Sequence, residues 1–531
     1  MTLPTSPFDA FRRTATRRPD LPFLIAPASA ALPYAPDGFR ILYGEAAEAI
    51  EALRAAYAQA GYGAGSRVAL LLENRPDFFL HWLALNACGA SIVPINPDLR
   101  PEELAHQMRI AAPDLLVHLP EHAALAEAGA PGIPRCLPGT PPAAAHPRAA
   151  SEGGPDAECA LLFTSGSTGL PKGCVLSNFY FVNVADWYVH MEGVATMRPD
   201  AEIALTPLPF FHMNALGCTA TGMMMIGGAI VPLDRFSARR WWSTVADSGA
   251  TIVHNLGVIP AILLQLPPCE AETRHRARFN FSPGVDAQHK LDFEARFNLP
   301  IVEGWAMTET GGTGVTSTAG RDYPPGLRCI GAARPGMAWR LVDDEGRDVP
   351  VGQPGELWVR AEGDDPRRGF FSGYLGDARA TAEAWEGGWF HTGDIMTVDE
   401  SGLFYFVDRK KSIIRRSGEN ISALEVEAVL KDCSGVQAVA VTPVADAVRG
   451  EEVFAFVIAS GPADARALVE AAAARLSYHK LPGYVAFVEA MPLSSTQKLL
   501  RGKLRTDAQA AIEAGEAHDL RDLKAALRKA G

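Results

Sequence analysis

Apolar and β-branched runs alternate with helix-period patterns along most of this chain. Runs at residues 67–72, 91–95 and 114–117 predict buried strands, and the stretches 45–61 and 78–89 between them predict helices. Such alternation is typical of α/β layers built on largely parallel sheets. The pattern therefore predicts a large N-terminal α/β domain of layered sheets.

The pattern changes toward the C-terminus. From about Arg340 it indicates short strands and turns, which predict a β-rich portion of the large domain. After Arg409, a small α+β domain of ordinary size is predicted. Its predicted helices and strands are residues 423–431, 438–441, 453–459 and 463–475. We expect domains at residues 1–410 and 411–531, the smaller one ending in a surface helix or frayed tail from Asp507.

Three other stretches carry distinct expectations. Residues 128–157 are rich in Pro, Ala and Gly and predict a long loop, whereas the charged, irregular stretch 267–278 is expected to be exposed. The most apolar stretch, 218–233, is interrupted by glycines and is too short to span a bilayer. We therefore expect it to lie in the core. We find no internal repeats.

Composition narrows the functional classes. With 48% hydrophobic and 21% charged residues, the 531-residue chain is typical of a globular protein of two or more domains. A formal net charge of −12 disfavours nucleic-acid binding, which needs basic surface. The 8 cysteines form no C-x-x-C pair, which argues against a zinc site or a disulfide framework, and the N-terminus has no apolar secretory segment. We expect a cytoplasmic monomer or homodimer with no membrane span.

The stretch LLFTSGSTGLPKG, Leu161–Gly173, carries the first chemical signal. A short apolar run ends in a loop whose glycines permit close backbone approach, and whose hydroxyls and Lys172 supply donors and a mobile charge. Ser177 and Asn178 are expected to cap a following helix. Backbone N–H groups beside one cation favour an oligophosphate site. The alternative is an ordinary Gly/Ser turn in a surface loop.

The spacing of this loop excludes a P-loop. A P-loop requires G-x-x-x-x-G-K-[ST], in which Lys directly follows Gly and a Mg²⁺-binding hydroxyl comes next. Here Gly166 and Gly169 are too close together, and Lys172 is followed by Gly173. The loop therefore belongs to another phosphate-binding class.

Further motifs follow in a fixed order, and together they identify a resemblance. They are PLPFFH (207–212), GWAMTET (304–310), GWFHTGD (388–394), FYFVDR (404–409), SGEN (417–420) and PLSSTQK (492–498). With the loop, this set resembles the adenylate-forming superfamily of acyl-CoA ligases, luciferases and peptide-synthetase adenylation domains. Within that superfamily, residues 404–422 and 236–242 look most similar to crotonobetaine/carnitine-CoA ligases. The resemblance extends from about Tyr43 to Arg505.

The resemblance implies that the loop binds the β- and γ-phosphates of ATP. The implied phosphate-binding residues are Thr164, Ser165, Gly166, Ser167, Thr168, Gly169 and Lys172. Thr308 is the implied contact to the α-phosphate. Glu309 is the implied ligand of Mg²⁺, a hard cation that prefers oxygen ligands. Taken alone, Glu309 has the alternative reading of a solvated carboxylate.

The resemblance also implies where the nucleoside binds. The implied contacts are Gly284, Val285, Asp286, Gly304, Trp305, Ala306, Met307, Asp394 and Arg409. In this set, Trp305 stacks on adenine, Asp394 accepts hydrogen bonds from both ribose hydroxyls, and Arg409 binds the ribose from the other side. A core Trp and a plain Gly-Asp turn are the structural alternatives.

The remaining implied roles concern the acid and coenzyme A. The implied acid pocket is formed by His212, Met213, Asn214, Asn255, Gly257 and Gly304. A satisfied core residue is the alternative for His212. A quaternary ammonium acid would need an aromatic cage, for which Trp187 is the candidate.

In the small domain, the family pattern implies a hinge at Lys411 and a coenzyme A channel at Gly418. It also implies that Lys498 bridges the acid carboxylate and the α-phosphate. Gln497 stands where the family usually has Gly, which would stiffen or re-aim the loop that carries Lys498. The basic run 409–416 has the alternative reading of a solvated charged face.

The sequence favours an enzyme that joins an acid to coenzyme A through an acyl-adenylate. A second hypothesis keeps the adenylate and passes the acyl group to an amine or to a carrier-protein thiol, although no carrier domain follows Lys498. A third is a non-catalytic interaction protein on the same fold. Retention of Lys172, Glu309, Asp394, Arg409 and Lys498 argues against that third reading.

Overall fold

The computed structural model describes residues 2–164, 171–416, 419–446, 449–476, 478–493 and 499–530. The chain divides into two compact units. The first comprises residues 1–340, 358–392 and 398–405, and the second comprises 341–357, 393–397 and 406–531. Among the helices within the described residues, none combines the length and apolar character needed to cross a bilayer.

Helices are distributed over the whole chain. They are α1 (Pro7–Arg17), α2 (Tyr43–Ala60), α3 (Pro76–Ala87), α4 (Pro101–Ala111), α5 (Ala123–Gly129), α6 (Asn178–Val189), α7 (Gly222–Ile226), α8 (Trp241–Ser248), α9 (Val258–Leu264), α10 (Ala287–Phe297), α11 (Ala378–Ala384), α12 (Ala423–Lys431), α13 (Ala465–Ala472), α14 (Arg501–Glu513) and α15 (Arg521–Ala530). A π-helical segment, Asn214–Thr221, directly precedes α7.

Strands occur in both units. They are β1 (Pro22–Pro27), β2 (Gly38–Leu42), β3 (Arg67–Leu71), β4 (Ser91–Pro94), β5 (Leu115–His118), β6 (Arg135–Cys136), β7 (Glu158–Thr164), β8 (Lys172–Ser177), β9 (Ile203–Thr206), β10 (Ala229–Pro232), β11 (Ile252–His254), β12 (Phe279–Phe281), β13 (Ile301–Val302), β14 (Gly304–Trp305), β15 (Thr316–Ser317), β16 (Cys329–Ala333), β17 (Met337–Val342), β18 (Gly355–Ala361), β19 (Gly373–Tyr374), β20 (Phe390–Val398), β21 (Leu403–Arg409), β22 (Ile413–Arg416), β23 (Glu419–Ser422), β24 (Val436–Asp446), β25 (Gly450–Ala459), β26 (Tyr484–Phe487) and β27 (His518–Asp519).

Two largely parallel sheets dominate the first unit, as predicted. One has the strand order β13-β12-β11-β9-β10-β1-β2, and the other has the order β19-β8-β7-β4-β3-β5-β6. In the second of these sheets, β3 pairs in parallel with both β4 and β5, because helices return the chain between the strands. Strands β8 and β19 are antiparallel additions at one edge. The α/β prediction for this part is confirmed.

The second unit has a mostly antiparallel sheet with the strand order β23-β22-β25-β26-β27, and β24 also pairs with β25. The long β24–β25 hairpin is antiparallel, and β26 alone adds in parallel to β25. Apolar faces of α12 and α13 pack on this sheet around buried residues such as Val426, Val453 and Val469. The predicted α+β character is confirmed.

The element boundaries correct the sequence prediction in places. Helix α2 starts at Tyr43 rather than Glu45, because the Glu45 carboxylate accepts a hydrogen bond from the Leu42 N–H at 2.8 Å. The loop predicted for residues 128–157 contains the short strand β6, which pairs with β5.

Burial bears on two further predictions. Glu272 is buried within the stretch expected to be exposed, because it pairs with Arg296 at 3.0 Å. The apolar stretch 218–233 lies in the core, as predicted.

Candidate active site

The predicted phosphate loop is the connection of a β-hairpin. Strands β7 and β8 are antiparallel, and Thr164 lies opposite Lys172 in the ladder. Residues 165–170, which include Ser165, Gly166, Ser167, Thr168 and Gly169, lie outside the described part of the chain. After β8, Ser177 caps α6 by accepting a hydrogen bond from the Tyr180 N–H at 3.1 Å, as expected. The hairpin therefore fixes both ends of the loop.

Lys172 lies beside Tyr374 of β19 and Asp377, which follows that strand. Its ammonium nitrogen is 4.8 Å from the centroid of the Tyr374 ring and 3.8 Å from Asp377 Oδ2. The pairing of β19 with β8 produces this arrangement, because Tyr374 lies opposite Cys174 in the ladder. A cation over an aromatic face is held by the ring quadrupole while part of it stays accessible.

Glu309 lies in a turn just after β14. Its side chain is buried, and the Tyr374 hydroxyl donates a hydrogen bond to Oε1 at 2.9 Å. The Phe371 N–H donates to the Glu309 carbonyl oxygen at 3.0 Å, which ties the turn to the residues before β19. Burial, and then the neighbouring Glu309 charge, raise the pKa of Tyr374, so its phenol remains a donor.

Tyr374 therefore contacts two predicted charged residues of the first unit, the phosphate-loop residue Lys172 and the predicted metal ligand Glu309. Tyr374 was not among the predicted site residues. A tyrosine in GYLG carries no motif-level signal of its own, and its importance depends on two contacts distant in sequence. The nearest available signal was its position in a Gly-flanked segment, which predicts only a turn.

Helix α6 supports the turn that contains Thr308 and Glu309. The Tyr180 hydroxyl donates to the Thr308 carbonyl oxygen at 2.7 Å. Arg334 donates to Asn183 Oδ1 at 2.8 Å and to the Gly312 carbonyl oxygen at 2.6 Å. Since α6 begins six residues after Lys172, one helix links the phosphate hairpin to the Glu309 turn. Neither Arg334 nor Asn183 was predicted, because no local pattern marks them.

The predicted adenine turn is held by a buried glutamate. Gly284 has a φ of +79°, and its N–H donates to Glu303 Oε2 at 3.0 Å. Gly257 must be glycine, because a Cβ there would lie 2.0 Å from the Gly284 carbonyl oxygen. Asp286 caps α10 through its Oδ1, which accepts from the Gln288 and His289 N–H groups.

Glu303 was missed, although it lies one residue before the GWAMTET motif. Burial raises the pKa of its carboxyl to about 7, while Lys290 and the Gly284 N–H act in the opposite direction. The sequence showed the residue but not its burial, so its role in holding the turn could not be predicted.

The predicted nucleoside residues of the GWAMTET motif come shortly after β13. Gly304 and Trp305 form β14, and Trp305 is buried opposite Thr316 of β15. Ala306 is exposed, and the Met307 N–H donates to Thr310 Oγ1 at 2.9 Å to shape the turn. Val285 packs into the core of the first unit.

The predicted acid-pocket residues come from three elements of the first unit. His212 and Met213 immediately precede the π-helical segment, and Asn214 begins it. Asn255 is fully buried just after β11, and its N–H donates to the Phe281 carbonyl oxygen at 3.0 Å. Gly304 lies against the Phe281 ring, since a Cβ at Gly304 would be 3.2 Å from the Phe281 Cζ. Trp187 packs edge-to-face on that ring at 6.0 Å between centroids.

The predicted ribose residues lie together in the second unit. Arg409 Nε is 2.6 Å from Oδ1 of the fully buried Asp394, while more than half of the Arg409 side chain is exposed. Glu356, which was not predicted, accepts from the Gly393 N–H at 3.0 Å and from Lys410 Nζ at 2.7 Å. This carboxylate links the residue before Asp394 to the one before Lys411.

The remaining predictions for the second unit fall on residues without a side-chain description. Lys498, Gln497 and Gly418 lie outside the described residues, and for Lys411 only the backbone is described. Their proposed roles therefore stay predictions.

The described parts of the two units have complementary chemistry. The first places a cation and a buried carboxylate at one aromatic side chain, a set suited to a metal-bound polyphosphate. The second places a buried carboxylate beside a partly exposed guanidinium, a set suited to a diol.

Comparison with known proteins gives consistent matches. A family model described as AMP-binding enzyme matches residues 11–375, and one described as AMP-binding enzyme C-terminal domain matches residues 425–498. A sulfoacetate–CoA ligase from Cupriavidus necator is 31% identical over 510 residues, covering 92% of this chain and 95% of that protein. A crotonobetaine/carnitine–CoA ligase from Escherichia coli O8 is 29% identical over 474 residues, covering 84% and 89%.

Solved structures share the fold. ATP-bound MatB from Rhodopseudomonas palustris has a TM-score of 0.79 at 24% identity, covering 94% of this chain and 98% of that one. The anthranilate CoA ligase AuaEII, solved with anthranoyl-AMP, has a TM-score of 0.83 at 22% identity, with coverage of 97% and 99%. At these identities the likeness concerns the fold alone.

Proposed function

Because the chain belongs to the AMP-binding enzyme family, we propose that it is an ATP-dependent acid–CoA ligase. The acid carboxylate attacks the α-phosphorus of ATP and pyrophosphate leaves, which gives an acyl-adenylate. The thiol of coenzyme A then attacks the acyl carbon and AMP leaves. One observation carries the proposal for this chain: Tyr374 holds the phosphate-loop lysine over its ring and the Glu309 carboxylate at its hydroxyl.

In the first half-reaction, we propose that the β7–β8 hairpin and the turn that contains Glu309 stabilise the negative charge on the phosphates of ATP. Lys172, with the loop residues 164–169, binds the β- and γ-phosphates, and Thr308 contacts the α-phosphate. The Tyr180 hydroxyl and Arg334 fix this turn before substrate arrives, so little reorganisation is needed in the reaction. Gly284, Val285 and Trp305 bind the adenine, while Asp394 and Arg409 bind the ribose.

The residues present suit Mg²⁺. Over the residues that the structure describes, no group of three or more His, Cys, Asp or Glu side chains forms an all-protein metal cage. Mg²⁺ is commonly held by one or two carboxylates together with substrate phosphates, and Glu309 provides such a carboxylate. A bound Mg²⁺ would neutralise phosphate charge, while Tyr374 orients the Glu309 carboxylate that holds it.

We place the exchange between the two half-reactions in the second unit. Lys498 bridges the carboxylate and α-phosphate during adenylation, and Gly418 lines the path of the thiol during transfer. Rotation about Lys411 exchanges the two, since a hinge absorbs its φ/ψ change at a few residues. On this basis the catalytic domains are residues 1–410 and 411–531. The use of ATP and coenzyme A is our reason for proposing a cytoplasmic location.

The half-reactions can be assayed separately. Lys411→Pro should keep acid-dependent pyrophosphate formation and lose thioester formation, because proline restricts φ at the hinge. Lys498→Ala should fail to adenylate and still convert supplied acyl-AMP and coenzyme A into thioester. Loss of the same half-reaction in both variants would contradict domain alternation.

The ligase proposal itself is tested by its products. With Mg²⁺, ATP and a panel of carboxylic acids, we expect AMP and pyrophosphate in equal amounts, followed by an acyl-CoA when coenzyme A is present. Stoichiometric ADP would overturn the proposal. Acid activation with transfer only to amines or to a carrier-protein thiol would instead support the second hypothesis.

A further inference from the structure

A stacked histidine–tyrosine pair lies buried in the first unit, behind the predicted acid pocket. The rings of His254 and Tyr188 are parallel to within 10°, with their centroids 5.6 Å apart. Phe281 packs against both rings at right-angle geometries, 4.8 Å from His254 and 5.5 Å from Tyr188. His254 and Tyr188 are fully buried.

Each ring carries a polar atom that no described residue pairs. His254 Nδ1 lies 2.6 Å from the hydroxyl of Thr219 in the π-helical segment. His254 Nε2 and the Tyr188 hydroxyl are both buried, and neither has a hydrogen-bond partner within the described residues. Buried polar atoms are almost always paired, and an unpaired one costs free energy. Two such atoms on stacked rings therefore mark the pair as a candidate contact for a polar ligand group.

The histidine is uncharged, because burial lowers its pKa to about 3. In the neutral ring one nitrogen donates and the other accepts. The Tyr188 hydroxyl can do both. Together the two groups complement an uncharged partner, such as a hydroxyl, carbonyl or amide, better than a fixed charge.

The position of the pair relates it to the acid. The Phe281 ring lies between the pair and Gly304, the first residue of the motif that contains Glu309. The π-helical segment that carries Thr219 begins two residues after His212. π-Helical turns occur frequently at functional sites. His254 is therefore connected to the predicted acid pocket in two ways, through the Phe281 ring and through Thr219 of the π-helical segment.

We propose that His254 and Tyr188 form the specificity end of the acid site and select an acid with an uncharged hydrogen-bonding group remote from its carboxylate. This inference rests on the proposed ligase function. A pocket built to pair such a group strongly rejects the analogue that lacks it, because the protein's polar atoms then stay unpaired. Phe281 and Trp187 form apolar surface between the two ends of the acid.

Matched pairs of acids test this proposal. Each pair has the same size and differs by hydroxyl against methyl: 4-hydroxybutanoate with pentanoate, 5-hydroxypentanoate with hexanoate, and 3-hydroxybenzoate with 3-methylbenzoate. Acid-dependent pyrophosphate release gives kcat/KM for each member. We expect at least one hydroxyl acid to exceed its methyl partner by tenfold or more.

Two ring-preserving variants locate the preference. Tyr188→Phe removes only the unpaired hydroxyl, and His254→Phe keeps a stacked ring without either nitrogen. Each variant should reduce the ratio of kcat/KM for the hydroxyl acid to kcat/KM for the methyl acid toward one. The KM for ATP should stay within about twofold of the wild-type value. A merely structural role would not change the first quantity and leave the second unchanged. Tyr57→Phe is the matched control, since Tyr57 and His81 form a remote buried pair at 2.6 Å, and its ratio should equal that of the wild type.

The outcomes separate the two proposals. Equal loss for both members of a pair in Tyr188→Phe, or a wild-type preference for the methyl acid, would overturn the inference and leave the ligase assignment standing. Selective use of a charged acid such as 4-(trimethylammonio)butanoate would also overturn it. If no acid supports pyrophosphate release, the ligase proposal falls, and this inference falls with it. If His254→Phe fails to fold, Tyr188→Phe alone still tests the specificity inference.

Discussion

Glu309 in the first unit and Glu452 in the second are both buried carboxylates, but their described partners differ in charge. Glu309 accepts a hydrogen bond from the neutral phenol of Tyr374. Glu452 lies between two buried cations, with Arg416 Nε at 2.8 Å from Oε2 and Lys524 Nζ at 2.6 Å from Oε1. Lys524 belongs to α15, so this cluster connects the end of the chain to β22 and β25.

The difference separates a carboxylate suited to ligand binding from one suited to structure. A phenol orients a carboxylate without itself carrying a counter-charge, an arrangement compatible with binding a metal or a substrate. Fixed cations at hydrogen-bond distance neutralise the charge and bind it into the fold. Burial alone therefore does not distinguish the two carboxylates, whereas the charge of their described partners does.

The largest expected effect is on stability, in the second unit. Glu452→Gln leaves Arg416 and Lys524 buried without their counter-charge, which should cost about 3–5 kcal/mol. Hydrogen exchange across β25 and chemical denaturation of the full chain measure the loss. Asp432→Asn is the control, because Asp432 and its Arg475 partner in the same unit are both mostly exposed and such pairs contribute about 0–1 kcal/mol. Equal losses in the two variants would contradict a structural role for the cluster.

The next effect is on activity, in the first unit. Glu309→Gln removes a carboxylate charge while keeping the shape of the side chain, so unfolding should change little. Loss of metal-assisted charge stabilisation is worth several kcal/mol, and the rate of acid-dependent pyrophosphate formation should fall by about 100-fold or more. Glu383→Gln, at an exposed position of α11, should keep the wild-type rate. A stable Glu309→Gln enzyme with full activity would remove Glu309 from the site.

A smaller effect is expected at the phenol that orients Glu309. Tyr374→Phe should raise the Mg²⁺ concentration for half-maximal rate by about tenfold, in line with the loss of a group that orients a metal ligand. The aromatic face beside Lys172 is kept. Tyr405→Phe provides the control, since its hydroxyl pairs with Asp399 at 2.8 Å in the same unit. Unchanged Mg²⁺ dependence in Tyr374→Phe would restrict the tyrosine to packing.

The smallest effect concerns pH and the turn near the predicted adenine site. Burial raises the pKa of Glu303 from 4.5 to about 7, so the folded chain binds its proton more tightly than the unfolded chain. The stability from this group is complete below about pH 4.5 and is lost as the pH rises toward 7. Between pH 5.5 and 6.5 the free energy of unfolding should fall by about 1 kcal/mol more in the wild type than in Glu303→Gln. Parallel pH profiles would show that Glu303 does not titrate as described.

Much of the fold was predictable because it depends on local pattern. The strands near residues 67–71, 91–94 and 115–118 and the helix at 423–431 follow from periodicity and lie where expected. The boundary errors arise from particular contacts, such as the Glu45 carboxylate on the Leu42 N–H. Glu272 was predicted to be exposed and is buried, because its partner Arg296 belongs to α10, 24 residues along the chain.

Some residues of the candidate site could be identified from the sequence, and others could not. Motif order identified Lys172, Glu309, Asp394 and Arg409 as candidates, because residue type and spacing are visible in one dimension. The residues that hold the site in shape were not identified: Tyr374, Glu303, Arg334 and Glu356. Each acts through contacts with groups far away in the sequence, and a lone Tyr, Glu or Arg has no local signature.

The sequence by itself determined the α/β class, the family and the residue types of the chemistry, since periodicity and motif spacing are properties of the linear chain. Tertiary structure alone decided which partner each charged or polar group has. Tyr374 contacts Glu309 across 65 residues, and the Phe371 N–H, which donates to the Glu309 carbonyl oxygen, holds the two segments together. His254 of β11 stacks on Tyr188 of α6, 66 residues away along the chain. Pairing and burial set whether a charge is neutralised and whether a polar atom remains available, and both depend on distances that only the folded chain defines.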